Sequence, residues 1–227
     1  MLSADTATGD GWKRIWILAT LSALVMLFDV QTHRAANPSP QVGIFKGNED
    51  VGVNPRAGSS AFDAVKQTYR ITGGGANIWG NTDAFHFVYN QVSGDMTITA
   101  GVAFVGTQGN EHRKAGIMFR QGLGADDAYA DAVVHGVGLT ALQYREKRGG
   151  QTLEIQASVN APQFIRLERK GNQFTMYVAG ADRHFTRVGS ITIGLHDPIN
   201  AGLVVCSHDA GDLQTAIFSQ VEAKKGN

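Results

Sequence analysis

Cysteine is almost missing from this chain. Cys206 is the only one in 227 residues, so no internal disulfide can staple the fold, and its setting in Leu203-Val204-Val205-Cys206 reads as a small buried apolar side chain. An excess of charge of either sign is also missing, with Lys plus Arg and Asp plus Glu at 20 each. Three of each sign fall in residues 1–40, so the remainder is balanced too. A nucleic-acid binder needs a basic excess to displace counterions, and that partner class is set aside. No repeat of fixed period is visible, which counts against a propeller. No metal-ligand cluster, nucleophile motif or phosphate loop is present. The triplet Gly73-Gly74-Gly75 is followed by Asn77-Ile78-Trp79-Gly80-Asn81, which has neither a helical period nor a Lys-Ser/Thr pair and reads as a turn.

What the chain does have is glycine, 28 residues against a usual share of roughly 7%, and a distinctive N-terminus. Lys13 and Arg14 precede an apolar run, Ile15 to Phe28, that Asp29 closes. The run matches a signal-peptide core and is short of the roughly 20 residues that span a bilayer. Thr32-His33-Arg34-Ala35-Ala36 offers no clean small-x-small cleavage site, so a cleaved signal peptide and an uncleaved signal anchor both stand. Cleaved or not, the basic residues ahead of the run keep the N-terminus in the cytoplasm and send the residues past about 40 across the membrane, periplasmic or extracellular. If the segment is uncleaved, membrane contact is confined to this apolar N-terminal helix. Asn37-Pro38-Ser39-Pro40 reads as a tether, giving a leader over 1–40 and one domain over 41–227.

Beyond the tether the period is two. In Phe164 to Val178, Ile165 and Leu167 share a face, Gly171-Asn172 turns the chain, and Phe174, Met176 and Val178 share a face again, the pattern of a central hairpin. Met96, Ile98, Val102 and Phe104 alternate with Thr97, Thr99 and Ala103, while Phe85, Phe87 and Tyr89 lie opposite His86. Further strands are expected at Thr68–Ile71, Ala115–Arg120, Ala128–Val137, Leu139–Arg145, Thr152–Ala157, Phe185–Val188, Ser190–Gly194, Ala201–Ser207 and Leu213–Val221. Gly47–Asp50 and Asn54–Ser60 read as loops. About a dozen short strands, with no ten-residue helix after Phe28, argue for an all-β, antiparallel two-sheet sandwich, with a closed barrel as the alternative.

A run of short motifs then carries a resemblance. Asp50-Val51-Gly52, Tyr69 to Gly80, Asp83 to Tyr89, Ser93-Gly94-Asp95, Ala115 to Arg120, Gln143-Tyr144-Arg145, Phe164 to Leu167, Gly202-Leu203 and Ser207-His208 together resemble a bacterial family of exported domains of unknown function. Its members look like concanavalin A-like jelly rolls, alone or attached to TolB-like propellers and carbohydrate-active enzymes. The match covers about residues 45 to 222. Phe164 and Phe185 stand where related domains often carry tryptophan, and Ala179-Gly180-Ala181-Asp182 replaces their usual Ser-x-Asp-Gly turn. The resemblance implies a jelly-roll sandwich and no established catalytic residues.

By fold analogy the expected function is non-catalytic recognition of a glycan or cell-envelope component outside the cytoplasm. Sugar recognition needs an aromatic plate and planar polar groups, and Trp79, Asp83, His86, Arg120, Tyr144 and Arg145 are the candidates of the right type. Each also has a plain structural reading. Trp79 and Tyr144 would simply pack, His86 would be a hydrogen-bonded strand residue, and the two arginines would pair with Asp83 or another carboxylate. A glycoside hydrolase or lyase is the rival reading, and it needs two carboxylates roughly 5–10 Å apart. The Glu-x-Asp-x-x-Glu strand motif of jelly-roll glucanases is absent, and Glu146, Glu154 and Glu168 are scattered. A structural domain docking to an envelope protein is a third reading. No cofactor is expected. Calcium has only the acidic loop pairs Glu49-Asp50 and Asp126-Asp127 to consider, and such pairs are usually solvated.

Overall fold

The computed structural model describes residues 41–226, and the expectations for the leader and tether lie outside them. In chain order the strands are β1 (Gly47–Val51), β2 (Ser59–Asp63), β3 (Thr68–Gly73), β4 (Ile78–Trp79), β5 (Thr82–Asp83), β6 (Phe85–Val92), β7 (Met96–Phe104) and β8 (Lys114–Arg120). They continue as β9 (Tyr129–His135), β10 (Thr140–Arg145), β11 (Leu153–Gln156), β12 (Phe164–Lys170), β13 (Gln173–Ala179), β14 (Thr186–Thr192), β15 (Ile199–Cys206) and β16 (Gln214–Lys225). No helix of the described residues is long and apolar enough to cross a membrane.

Two seven-stranded antiparallel sheets form the sandwich, ordered β1-β6-β15-β8-β9-β10-β11 and β14-β13-β12-β7-β16-β3-β2. The period of two places the core. On β12 and β13, Ile165 sits opposite Val178 and Leu167 opposite Met176, and all four turn inward. They meet Ile98 of β7, Ile71 of β3 and, from the first sheet, Ile117, Leu142 and Leu203. Each such side chain fully removed from water stabilises the fold by roughly 1.5–3 kcal/mol. The hairpin turn works because Gly171 adopts φ 55°, a conformation costly for residues with a Cβ.

Two stretches that read as loops are strands. β1 and the start of β2 carry Asn48, Glu49, Asp50, Ser59 and Ser60, which have no apolar alternation, but each lies at the outer edge of its sheet and pairs on one side only. Edge strands tolerate and often require such polar side chains. Phe185–Val188 and Ser190–Gly194, expected as separate strands, merge into the single edge strand β14.

The first sheet is buried on its second face as well. Val51, Phe85, Phe87, Met118, Tyr129, Val133, Val204 and Cys206 form a separate apolar cluster there, completed by Ile78 of the small β4–β5 hairpin. A two-residue hairpin cannot hold itself together. It is pinned by Asp83, which has no exposure and takes three charge-assisted hydrogen bonds. Arg120 donates to Oδ2 at 2.8 Å, and Arg145 donates to Oδ2 at 2.6 Å and Oδ1 at 2.7 Å. Both guanidiniums are fully buried, lie beside the Tyr129 ring and spend further donors on the Gly124, Gly150, Asp127 and Gly80 carbonyls. Here the pairing expected for an arginine at the end of an apolar strand is met by residues of three separate segments.

Asp83→Asn would leave two buried cations without their counter-charge. The expected loss is about 3–5 kcal/mol in urea unfolding, and a loss below about 1 kcal/mol would show that the latch does not hold the hairpin.

Candidate functional site

At the β8–β11 end, the outer face of the first sheet changes from apolar to polar. The register sets Met118, Asp131, Gln143 and Glu154 in one row across β8, β9, β10 and β11, and Lys114 opposite His135. Over this corner lies a cavity of about 330 Å³. Gln143, His135 and Lys114 line its floor, Asn77 and Trp79 of the latched hairpin segment form one wall, and His112 and His208 stand on another. Glu154 and Gln156 of the edge strand complete it. The volume is at the low end of the roughly 300–1,000 Å³ typical of small-ligand sites.

The floor is polar and buried at once. Lys114, 2% exposed, donates from Nζ to Asn77 Oδ1 at 3.0 Å and to the Ile78 carbonyl at 2.6 Å. The same ammonium lies 5.3 Å from the Trp79 ring centre, so Lys114 carries the indole from beneath. Burial lowers the Lys114 pKa, and burial raises that of Asp131 well above the usual carboxylate range, with Lys114 opposing the rise. Both shifts run toward the neutral forms.

His135 is held neutral, its pKa lowered to about 3 by burial first and then by Lys114, His112 and His208. The His112 ring centre lies 6.0 Å from that of His135 and 5.4 Å from that of His208. Burial also lowers the His208 pKa. Gln143 Nε2 donates to Glu154 Oε2 at 3.1 Å and lies 3.4 Å from His135 Nε2, and Gln156 Nε2 donates to Glu154 Oε1 at 2.6 Å.

Four buried polar atoms have no protein partner here: both carboxyl oxygens of Asp131, Gln143 Oε1 and His135 Nδ1. Such an atom costs about 1–3 kcal/mol. Gln143 and His135 line the cavity, whereas the fully buried Asp131 lies beside them in the sheet and outside its lining. Asp131 and Glu154 lie on alternate strands, whose backbones are roughly 10 Å apart. Even so, the Asp131 oxygens are covered, and both Glu154 oxygens are bonded to glutamines.

Of the residues expected at a site, Trp79 lines this cavity. Asp83, Arg120 and Arg145 are the buried latch beside it. Tyr144 turns to the other face and packs on the core between the sheets. His86 also faces between the sheets. Its Nδ1 meets Asp50 Oδ1 at 2.7 Å, and its Nε2 meets Ser60 Oγ at 2.9 Å and Asn48 Oδ1 at 2.8 Å.

The Ser60–His86–Asp50 chain has the connectivity of a nucleophile, base and orienting carboxylate. Here Nε2 is shared with Asn48 and the residue is 3% exposed. Gly58 packs so closely that a Cβ would lie 2.3 Å from Nδ1, and its N–H donates to Asp50. The group is a polar clasp between β2 of one sheet and β1 and β6 of the other. The acidic loop pairs are also engaged: Glu49 accepts from Tyr89, Asp50 from Gly58, Asp126 from Arg148 and Asp127 from the Gly124 N–H. Among the described residues no group of three or more His, Cys, Asp or Glu is arranged to hold a metal ion.

Lys114, Asp131, Gln143 and the three histidines come from separate segments, so no local spacing marks them as one site, and Glu154 stands in the sequence only as a scattered carboxylate. One signal was available. Asp131 alternates with Tyr129 and Val133 in a strand that is otherwise apolar, and a carboxylate on such a stripe must be paired or functional.

No protein-family model matches the chain, and no curated protein matches it. Solved structures do share its fold. One is a functionally unknown protein from Saccharomyces cerevisiae, 15% identical with a TM-score of 0.59, over 79% of this chain and 97% of that one. The carbohydrate-binding module CBM66 from Bacillus subtilis is 16% identical with a TM-score of 0.51, over 82% of this chain and all of the module. The GH43 protein BlXynB from Bacillus licheniformis is 13% identical with a TM-score of 0.53, over 82% of this chain and 41% of that one. These likenesses establish the concanavalin A-like jelly-roll fold.

The His135 environment fixes a pH dependence. Its folded pKa of about 3 lies below the unfolded value of 6.5, so the unfolded chain takes up a proton that the folded chain refuses. Its contribution to stability is therefore complete above pH 6.5 and is lost as pH falls from there toward 3. Urea midpoints measured across that range are expected to fall less steeply for His135→Gln than for the native chain. Parallel curves would contradict the assignment.

Proposed function

We propose that this chain is an exported glycan-binding protein that holds its ligand in the outer-face cavity and does not cleave it. The observation that carries this reading is the pair of unpartnered polar atoms, Gln143 Oε1 and His135 Nδ1, on two residues that line the cavity beside the Trp79 indole. A sugar supplies what each lacks. Its hydroxyls both donate and accept, which suits Gln143 Oε1 and the His135 ring, and its apolar C–H face suits an aromatic plate. The fold shared with a carbohydrate-binding module and with part of a GH43 protein supports the same ligand class.

Binding is favoured over hydrolysis because cleavage needs two carboxyl groups facing the scissile bond, and the Asp131 oxygens are covered. Export follows from the basic residues Lys13 and Arg14 ahead of the apolar run. A periplasmic or extracellular glycan, or a glycan-bearing component of the cell envelope, is then the partner.

A glycan array probed with the full chain tests the reading. Binding is expected, with Trp79→Ala and Gln143→Ala each weakening it tenfold or more, while melting temperature changes little for Trp79→Ala because the indole is 39% exposed. New reducing ends on incubation with bound polysaccharides would replace recognition by catalysis. An array without a single hit would remove the glycan reading altogether.

A further inference from the structure

We infer that Glu154 is the positioning residue of this cavity: by holding the Gln143 amide in one orientation it fixes the tautomer of His135 and leaves one acceptor and one donor that select neutral hydroxylated sugars over uronates. The ligand half of this inference rests on the glycan-binding reading above. The side-chain half stands on hydrogen bonds alone.

A glutamine amide can be turned end for end, and only its partners decide which end is nitrogen. Around Gln143 they decide it. Its neighbour across the β10–β11 ladder is Glu154, whose carboxylate accepts and has nothing to donate, so the Gln143 nitrogen must face it, and does so at 3.1 Å. Glu154 is itself held from the other side, where Gln156 Nε2 donates to its second oxygen at 2.6 Å. The remaining hydrogen of the Gln143 nitrogen is left for His135 Nε2, 3.4 Å away. A ring nitrogen that receives an N–H carries no hydrogen of its own, and burial keeps this ring neutral, so its single N–H is on Nδ1.

These bonds end in two atoms of opposite need. Gln143 Oε1 is an acceptor without a donor, and His135 Nδ1–H is a donor without an acceptor; both atoms are buried, and both residues line the cavity. Hydroxyls answer both, since each can donate to the amide and accept from the ring. A carboxylate answers only the ring, and beside Gln143 it meets the Oε1 lone pairs and the Glu154 carboxylate. The cationic and imidazole groups around the cavity are otherwise engaged or neutral. Lys114 Nζ donates to Asn77 Oδ1 and to the Ile78 carbonyl, His112 Nε2 lies 3.5 Å from Glu111 Oε1, and burial pushes His208 toward its neutral form.

The tautomer is read without any ligand. In the nitrogen-15-labelled full chain near neutral pH, proton–nitrogen correlations of the His135 ring are expected to place its hydrogen on Nδ1. Glu154→Lys replaces the acceptor with a donor, so the Gln143 amide turns over and the ring hydrogen moves to Nε2, a change that a mere loss of stability would not produce. A hydrogen on Nε2 in the native chain, or an unchanged ring in Glu154→Lys, would overturn the positioning role. Calorimetric titrations with xyloglucan, mixed-linkage β-glucan and galactomannan as neutral polymers, and with polygalacturonate and alginate as uronates, test the selection. The native chain is expected to bind at least one neutral polymer about tenfold more tightly than either uronate, with that preference reduced in Glu154→Lys. A uronate bound as well as the best neutral polymer would overturn the selection and leave glycan binding standing. Absence of binding to all of these polymers would count against the glycan-binding reading itself, while the His135 tautomer still decides the role of Glu154.

Discussion

The Asp83 carboxylate between Arg120 and Arg145 is the interaction on which the outer half of this molecule depends. Two stacked sheets with a good apolar interior would be stable without it. What the triad adds is a second layer on one face, because it forces a hairpin too short to be stable to sit against the sheet and to carry Ile78 and Trp79 into place. Ion pairs buried this deeply seldom contribute much net stability, since desolvation offsets most of the attraction. Their effect is positional: with both Asp83 oxygens bonded to arginine, the hairpin has one seat, and the indole beside the cavity has one place to stand.

Fixed surroundings of this kind allow the neighbouring polar groups to remain unsatisfied. Elsewhere the buried polar side chains are mostly matched: His86 is bonded at both nitrogens, and Arg169 reaches Asp197 at 2.5 Å as well as the Leu195 carbonyl. At the β9–β10 corner the balance is reversed. A carboxyl, an amide oxygen and an imidazole nitrogen lie under cover without partners, each unfavourable on its own. Burial pushes Asp131 and Lys114 toward their neutral forms and keeps the His135 ring uncharged. A cavity lined by amides, imidazoles and an indole suits a polyhydroxylated ligand.

Much of the sandwich was legible in the sequence because its core strands alternate plainly. Ile165, Leu167, Phe174, Met176 and Val178 announced a face, and the structure puts that face inward. The edges were harder to see. Asn48, Asp50 and Ser60 look like loop residues because strands with one open side carry polar side chains. The β4–β5 hairpin was illegible for a different reason: two-residue strands leave no period to detect, and what defines them is a salt bridge to positions 37 and 62 residues further along. Candidate site residues divided along the same line. Arg120 and Arg145 had the right chemistry but were consumed by the latch, whereas Gln143 and Asp131 acquired importance only from the register that sets them side by side.

Ligand is proposed to meet the protein at the Trp79–Gln143 corner of the outer face. Nitrogen-15 chemical shifts, followed while a glycan that binds is titrated into the labelled chain, test it most directly. The Trp79 indole N–H and the side-chain amides of Gln143, Gln156 and Asn77 are expected to move together and saturate at one concentration, with the Asn48 amide of the His86 clasp unchanged. Saturable shifts confined to the second sheet or to the clasp, with the Trp79 indole still, would contradict it.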